Sequence, residues 1–356
     1  MQNDKVHVLM CCSELTVKGG MVSVVKNYLG YNNWGKYEIH YVPTHTEKNR
    51  IIVAVYFAFA YLKILYLCCT KKISIAHLHT AERGSFFRKA ILVRTLRKFG
   101  VKTILHHHAA EFEEFYASLS EGKKDYVNRT LELADLNIVL SKRLINMILD
   151  KAPNAKVEVL YNAVPTYESV PRNLDARNVL FLGRLGKRKG TYDLLDAMKL
   201  IDNAIPKTVK FYLCGDGDID GVKRKVEQLG LEGRVAYIGW IGPEEKKRIY
   251  NDISINVLPS YNEGLPMSIL ETMAYGIPSL TTAIASIPEV VFDGVNGFLV
   301  EPGDVEAIAN KLKTLICETE LCHRLGDNAY ALITNEFGLK SHMEKLMEMY
   351  SSLLGE

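Results

Sequence analysis

Several signatures are missing from this sequence, and each absence closes a class of function. Residues 11–21, CCSELTVKGGM, lack the Gly-x-Gly-x-x-Gly fingerprint that a nicotinamide-dependent dehydrogenase needs after its first strand. The seven cysteines include the adjacent pairs Cys11-Cys12 and Cys68-Cys69, but no Cys-x-x-Cys spacing and no even disulfide framework. A reduced, cytosolic setting is therefore expected. No repeat and no low-complexity segment is present, which excludes solenoids and disordered tracts. The net charge of +3 is too small to imply a nucleic-acid partner. The start, MQNDKVHVLMCC, has no charged head and cleavage site of a signal peptide, so it reads as a first strand.

What is present suits a large α/β protein. With 356 residues, 48% of them hydrophobic, the chain can fill two cores in domains of roughly 150 to 180 residues. Apolar runs of strand length alternate with helix-length segments, the pattern of parallel sheets. In the first half the strands are expected at Val6–Cys11, Tyr37–Val42, Ile73–Leu78, Lys102–His107, Leu136–Leu140 and Val157–Tyr161. The stretch AVPTYESVPRNLDARN, with two prolines in a polar run, breaks the periodicity and marks a linker. Strands resume at Asn178–Leu182, Lys210–Cys214, Val235–Ile238, Ile253–Leu258, Ser279–Thr282 and Gly297–Val300. Two Rossmann-like sheets in series lead us to expect a cleft between domains, with ligands at the carboxyl ends of strands.

The densest motif is PSYNEGLPMSILETMAYGIP, residues 259–278. A buried strand ends before it, Asn262-Glu263-Gly264 makes a turn, Pro266 suits a first helical position, and Gly276 with Pro278 closes the helix. Such a turn offers unpaired N–H groups and the positive end of a helix to a phosphate. Glu263 and Glu271 flank that seat and can reach different parts of one elongated ligand. Their plainer reading is a helix-start acid and a solvated helix residue.

The segment Glu263-Gly264-Leu265-Pro266-Met267-Ser268-Ile269-Leu270-Glu271 resembles the family 4 glycosyltransferases, where two glutamates enclose seven residues in a strand, turn and helix. The resemblance extends over nearly the whole chain, through AYGIP, IPEVV from Ile287 and DGVNGFLVEPGD from Asp293. It implies a GT-B arrangement of two facing Rossmann-like domains, a nucleotide-sugar donor, and retention of anomeric configuration without a metal. Residues 1–165 would form the acceptor domain, 166–335 the donor domain, with a helix at about 336–356 packing back on the first. Glu263 would lie near the donor sugar's hydroxyls, and Glu271 would bind the ribose. The backbone of Gly264, Leu265, Pro266 and Met267 would meet sugar or diphosphate.

The resemblance assigns further roles. In FLGRLGKRKG, residues 181–190, the turn at Gly183 carries Arg184 and Lys189, which would contact the diphosphate; fixed cations there stabilise the charge that grows on the leaving oxygen. Lys18-Gly19-Gly20 would bring a loop to the diphosphate and sugar, glycine permitting close approach. His108 is the closest match to a histidine that contacts the donor sugar, with His107 as the register alternative and a satisfied core histidine as the plain one. A metal cluster at His106, His107 and His108 is not expected, because consecutive strand side chains alternate in facing. Asp216-Gly217-Asp218 follows a strand as a Gly-rich turn and is likewise not expected to hold a metal. RVAYIGW, residues 234–240, would help hold the base, with Trp240 open to either base contact or packing. Asn162-Ala163 and His108-Ala109 depart from the family's Asn-Gly and His-Gly, at the interdomain turn and on the acceptor side.

Two stretches bear on the acceptor. Ile51–Cys69 is apolar except for Lys63, and a buried or interfacial helix is expected over a membrane span, because a span would part flanking strands of one sheet. Arg83–Lys102 carries seven basic residues and no acid among apolar ones, a composition suited to an anionic bilayer surface. The expected acceptor is a polyprenyl-diphosphate-linked saccharide, with the protein cytoplasmic and peripheral on the inner face of the plasma membrane. A soluble acceptor, or a nucleotide-binding module without turnover, are the alternatives.

Overall fold

Strands such as IAHLHT and ISINVL bury nearly every side chain, as strands covered on both faces must. The computed structural model describes residues 5–109, 111–168 and 176–356. Within them, Met1–Ala163 with Leu339–Glu356 forms one compact unit, and Val164–Gly338 forms a second. Much of the linker, residues 169–175, lies outside the described residues.

The first unit holds β1 (Val6–Cys12), β2 (Tyr37–Pro43), β3 (Ile75–Thr80), β4 (Lys102–His107), β5 (Leu136–Val139) and β6 (Val157–Val159), in the order β2-β1-β3-β4-β5-β6. The second holds β7 (Asn178–Leu182), β8 (Phe211–Cys214), β9 (Val235–Gly239), β10 (Ile253–Leu258), β11 (Ser279–Thr282) and β12 (Gly297–Val300), in the order β9-β8-β7-β10-β11-β12. The neighbouring strands pair in parallel. The winding reverses between β1 and β3 in the first sheet and between β7 and β10 in the second. In sheets of this kind the loops leaving such strand ends diverge to opposite faces, and ligands bind at the carboxyl edge between them.

Strand β3 starts two residues later than expected. Lys72 takes a left-handed conformation (φ 48°) as the preceding helix ends, and polar His79 and Thr80, both fully buried, extend the strand past its apolar run. Hydropathy cannot show that a histidine will be buried. The last helix, Leu339–Leu354, packs within the first unit, where His342 Nε2 meets Tyr28 Oη at 2.6 Å and Tyr350 Oη meets His77 Nδ1 at 2.7 Å.

The helix Arg50–Lys71 is capped by Asn49, whose side chain accepts from the Ile52 amide at 3.0 Å. It is not a buried helix: only Ala60 and Ile64 are buried, while Ile51, Phe59 and Leu62 are 77%, 70% and 60% exposed. Its flanking strands β2 and β3 both pair with β1 in one sheet.

Candidate active site

The second sheet reverses between β7 and β10, and the loops after those two strands are bound to each other. Tyr261 N donates to Arg188 O at 2.9 Å, and Arg188 Nη1 donates to Asn262 O at 3.4 Å. Gly190 makes the approach possible. Its φ is +68°, and a Cβ there would lie 2.0 Å from Pro259 O, so no other residue fits without moving the chain. On the other side, a Cβ on Gly215 would lie 1.8 Å from Gly183 O, which seats the loop after β8 against Gly183.

This stitching brings Lys189 to Glu263. The ammonium is paired with Glu263 Oε1, which also accepts from Ser260 Oγ at 2.7 Å. Glu263 is 6% exposed and Lys189 14%. Burial pushes the Lys189 ammonium below its ordinary pKa, and the carboxylate opposes that shift by attraction. Arg184 stands on the same turn, exposed, with no side-chain bond or ion pair among the described residues. A buried charge pair beside an uncommitted guanidinium is a ready seat for an anionic ligand.

Glu271 stands apart from this pair, in the helix Met267–Met273. It accepts from Lys246 Nζ at 2.7 Å and from Tyr250 Oη at 3.2 Å. Pro266 is the cap of that helix rather than its first residue; its ψ of 123° is extended, so the helix begins at Met267 and has seven residues. Gly264 and Leu265 form the turn between Glu263 and the cap. Asp218 is committed to structure: it caps the helix Ile219–Leu229 through the Gly221 amide at 3.0 Å and accepts from Tyr192 Oη. Tyr237 lies in the sheet's edge strand β9 and Trp240 just after it, 38% and 47% exposed.

The remaining candidates belong to the first unit. Gly19 has φ +141° and caps the helix Gly20–Leu29 at the carboxyl end of β1. His108 follows β4, half-buried, and its Nε2 meets His79 Nδ1 at 3.0 Å. His107 faces the opposite way, buried, bonded through Nε2 to Asn137 Oδ1 at 3.0 Å. Burial pushes both rings down, His107 to about 4 and His108 to about 3, so both are neutral.

Sequence reasoning missed the wider histidine cluster. His77 and His79 of β3 lie on the face shared by His106 and His108, and ring nitrogens of His77, His79 and His106 fall within 4.8 Å of one another. The signal was the His-Leu-His of β3, which needs the pairing of β3 with β4 to acquire meaning. His77 Nε2 meets His106 Nδ1 at 3.0 Å, linking the rings into a chain that ends on Tyr350.

In the basic stretch 83–102, expected to suit an anionic bilayer surface, Arg83, Arg97, Lys98 and Lys102 are exposed, whereas Lys89 and Arg94 turn inward. Lys89 is fully buried, Arg94 binds Thr130 Oγ1 at 2.6 Å and stacks 3.8 Å from the Tyr126 ring, and Arg97 donates to Leu133 O at 3.2 Å. Arg83 pairs with Glu111 and Lys102 with Asp135. The carboxylates and carbonyls that consume these cations come from elsewhere in the chain, beyond the reach of a local composition count.

Residues 167–332 match the model of glycosyl transferases group 1. Over 95% of its length the chain is 26% identical to an uncharacterized 41.2 kDa protein in the cps region of Klebsiella pneumoniae, covering 98% of that protein. It is 28% identical over 176 residues to the capsular polysaccharide biosynthesis glycosyltransferase CapM of Staphylococcus aureus, covering 49% of this chain and 46% of CapM. Its fold matches that of Anabaena HepE, solved in complex with UDP, with a TM-score of 0.76, 18% identity, and coverage of 98% of this chain and 100% of HepE. The chain is thus an α/β protein of GT-B type with two Rossmann-like sheets, whose residues 167–332 match the glycosyl transferases group 1 model.

Proposed function

We propose that the chain is a retaining family 4 glycosyltransferase that takes a sugar from a nucleoside-diphosphate donor seated on the second unit. The observation that carries this reading is the Lys189–Glu263 pair beside free Arg184, at the point where the second sheet reverses. HepE's complex with UDP supports a nucleotide in this kind of fold.

In this reading the bond between the anomeric carbon and the diphosphate oxygen breaks, and its electron pair stays on oxygen. Arg184 and Lys189 stabilise that charge more in the transition state than in the bound donor. The acceptor hydroxyl attacks from the same face and passes its proton to the departing diphosphate, so neither a protein nucleophile nor a metal is required. Glu263 accepts from the sugar's hydroxyls and holds Lys189 in place. Gly183, Gly264, Leu265, Pro266 and Met267 shape the seat, Glu271 holds the ribose, and Gly19, Gly20 and His108 serve the donor from the first unit.

The acceptor is a saccharide on a polyprenyl diphosphate, and the protein works from the cytoplasmic face of a membrane in surface-polysaccharide assembly. CapM's role in capsular polysaccharide biosynthesis supports this, as does the exposed apolar face of Arg50–Lys71. That face suits lipid together with the stretch 83–102: with Ile91 of that stretch it lines a shallow apolar groove at Phe57, Tyr61 and Leu62.

A panel of nucleotide sugars tests the reading. One donor is consumed, with chelator leaving the rate unchanged, and proton NMR of the product shows the donor's anomeric configuration. An inverted product, or binding of nucleotide with no hydrolysis or transfer from any donor, rejects it.

A further inference from the structure

Lys89 is fully buried in the helix Gly84–Lys98, and its Nζ donates to Thr44 Oγ1 at 2.9 Å. Among the described residues no carboxylate pairs with it; the ionisable groups acting on it are Cys12, Arg88 and Cys11. Thr44 Oγ1 in turn donates to Cys12 O at 2.9 Å, so the ammonium sits under the carboxyl ends of β1 and β2. Burial pushes it down to about 8, which leaves it mostly charged near neutrality.

A second cation stands beside it. Arg88 is half-buried, its Nε is buried without a partner, and its Nη1 lies so near the helix start that a Cβ on Gly84 would be 3.2 Å away. Burial and then the charges of Arg88 and Lys89 hold His45 below its ordinary pKa, and His45 Nδ1 lies 3.5 Å from Ser13 Oγ. The acid of this rim, Glu14, is tied to Thr46 and Tyr56. Burying cations without a counter-ion is unfavourable, and an anion bound against them offsets that cost. The place is the carboxyl edge of the first sheet, at the ends of β1 and β2 and under the helix that follows β3, next to the sheet's own reversal where ligands of such sheets bind.

We propose that Arg88 and Lys89, with the rim of Ser13, Thr44 and His45, form a phosphate- or diphosphate-binding site in the first unit, used by an anionic acceptor. The acceptor's identity rests on the proposed glycosyl transfer; the binding itself does not. Two sources share this chemistry, the diphosphate of a lipid carrier and a free phosphorylated acceptor.

The test is calorimetric titration with inorganic pyrophosphate and with farnesyl diphosphate, without donor, on protein carrying Arg184→Ala and Lys189→Ala so that the second unit's seat is silent. Both probes bind this background, and adding Lys89→Met or Arg88→Gln weakens each at least tenfold. Lys89→Met melts no lower than its parent, since an uncompensated buried charge is gone; if it fails to fold, Arg88→Gln decides alone. Farnesyl diphosphate binding at least tenfold tighter than pyrophosphate assigns the lipid source, and equal affinity assigns the free one; both keep the site. No binding of either probe to the background, or undiminished binding by the folded variants, overturns it. Wild-type protein that turns over no nucleotide sugar sinks the transferase reading and leaves this titration standing.

Discussion

Each unit places a lysine under the carboxyl edge of its sheet, but Lys189 lies against Glu263 whereas Lys89 meets a threonine hydroxyl and, among the described residues, no acid. The units differ as sharply in histidine: nine of the ten, all but His323, belong to the first. In the second unit a charge is kept by pairing it. The first unit instead buries imidazoles as neutral rings and leaves its lysine without a counter-ion. Paired charge, neutral burial and uncompensated charge respond differently to pH and to substitution, so the contrast can be broken experimentally.

The largest effect is expected from acid. Burial depresses His77 and His79 and His106, and holds His107 and His342 at about 4. Unfolded, each returns to about 6.5, so below that pH the unfolded chain binds protons that the native one refuses. The stability is complete above pH 6.5 and falls with pH by about 1.4 kcal/mol per unit for each such ring until the folded values are reached. The first unit therefore unfolds in mild acid while the second persists. The two tryptophans report this separately, Trp34 from the first unit and Trp240 from the second. Coincident acid transitions in Trp34→Phe and Trp240→Phe proteins would refute the contrast.

Substitution of the two lysine sites sharpens it. Glu263→Ala strands Lys189 without its partner and should lower stability by about 3 kcal/mol in urea titration, whereas Lys89→Met should lower it by nothing. Equal losses would mean that the two lysines are compensated alike. Next, Gly190→Ala puts a Cβ against Pro259 O at a positive φ and should cost about 2 kcal/mol. It should also part the loops that hold Lys189 to Glu263, so donor turnover falls with it; full activity in this variant would show that the stitching is dispensable. Smallest, and confined to the first unit, is the surface effect: Ile51, Phe59 and Leu62 changed to Ser should abolish sedimentation with liposomes at unchanged stability. Lys98→Glu should leave sedimentation nearly intact, and the reverse pattern would make the basic stretch the main contact.

The strands were legible because buried parallel strands are written as apolar runs: β10 and β11 and β12 have the bounds that ISINVL, SLTT and GFLV imply. Asn262-Glu263-Gly264 was legible as a turn for the same local reasons. The partners were not. Nothing in FLGRLGKRKG says that Lys189 will reach Glu263, because that contact depends on β7 lying beside β10, far apart in sequence. Lys89 and Arg94 read as members of a basic run suited to an anionic bilayer surface, since composition cannot tell an ammonium beneath a strand end from one at the surface. For Arg50–Lys71, length and hydropathy left a buried and an interfacial helix both open, and only the tertiary structure shows its apolar face uncovered.

The central claim is that Arg184 and Lys189 carry the charge of a departing diphosphate. Single-turnover rates of Arg184→Ala and Lys189→Ala, measured with a consumed nucleotide sugar and with folding verified by circular dichroism, test it most directly. The account predicts a fall of about a hundredfold or more in each, the scale of a lost electrostatic donor. Rates near wild type in both folded variants would contradict it.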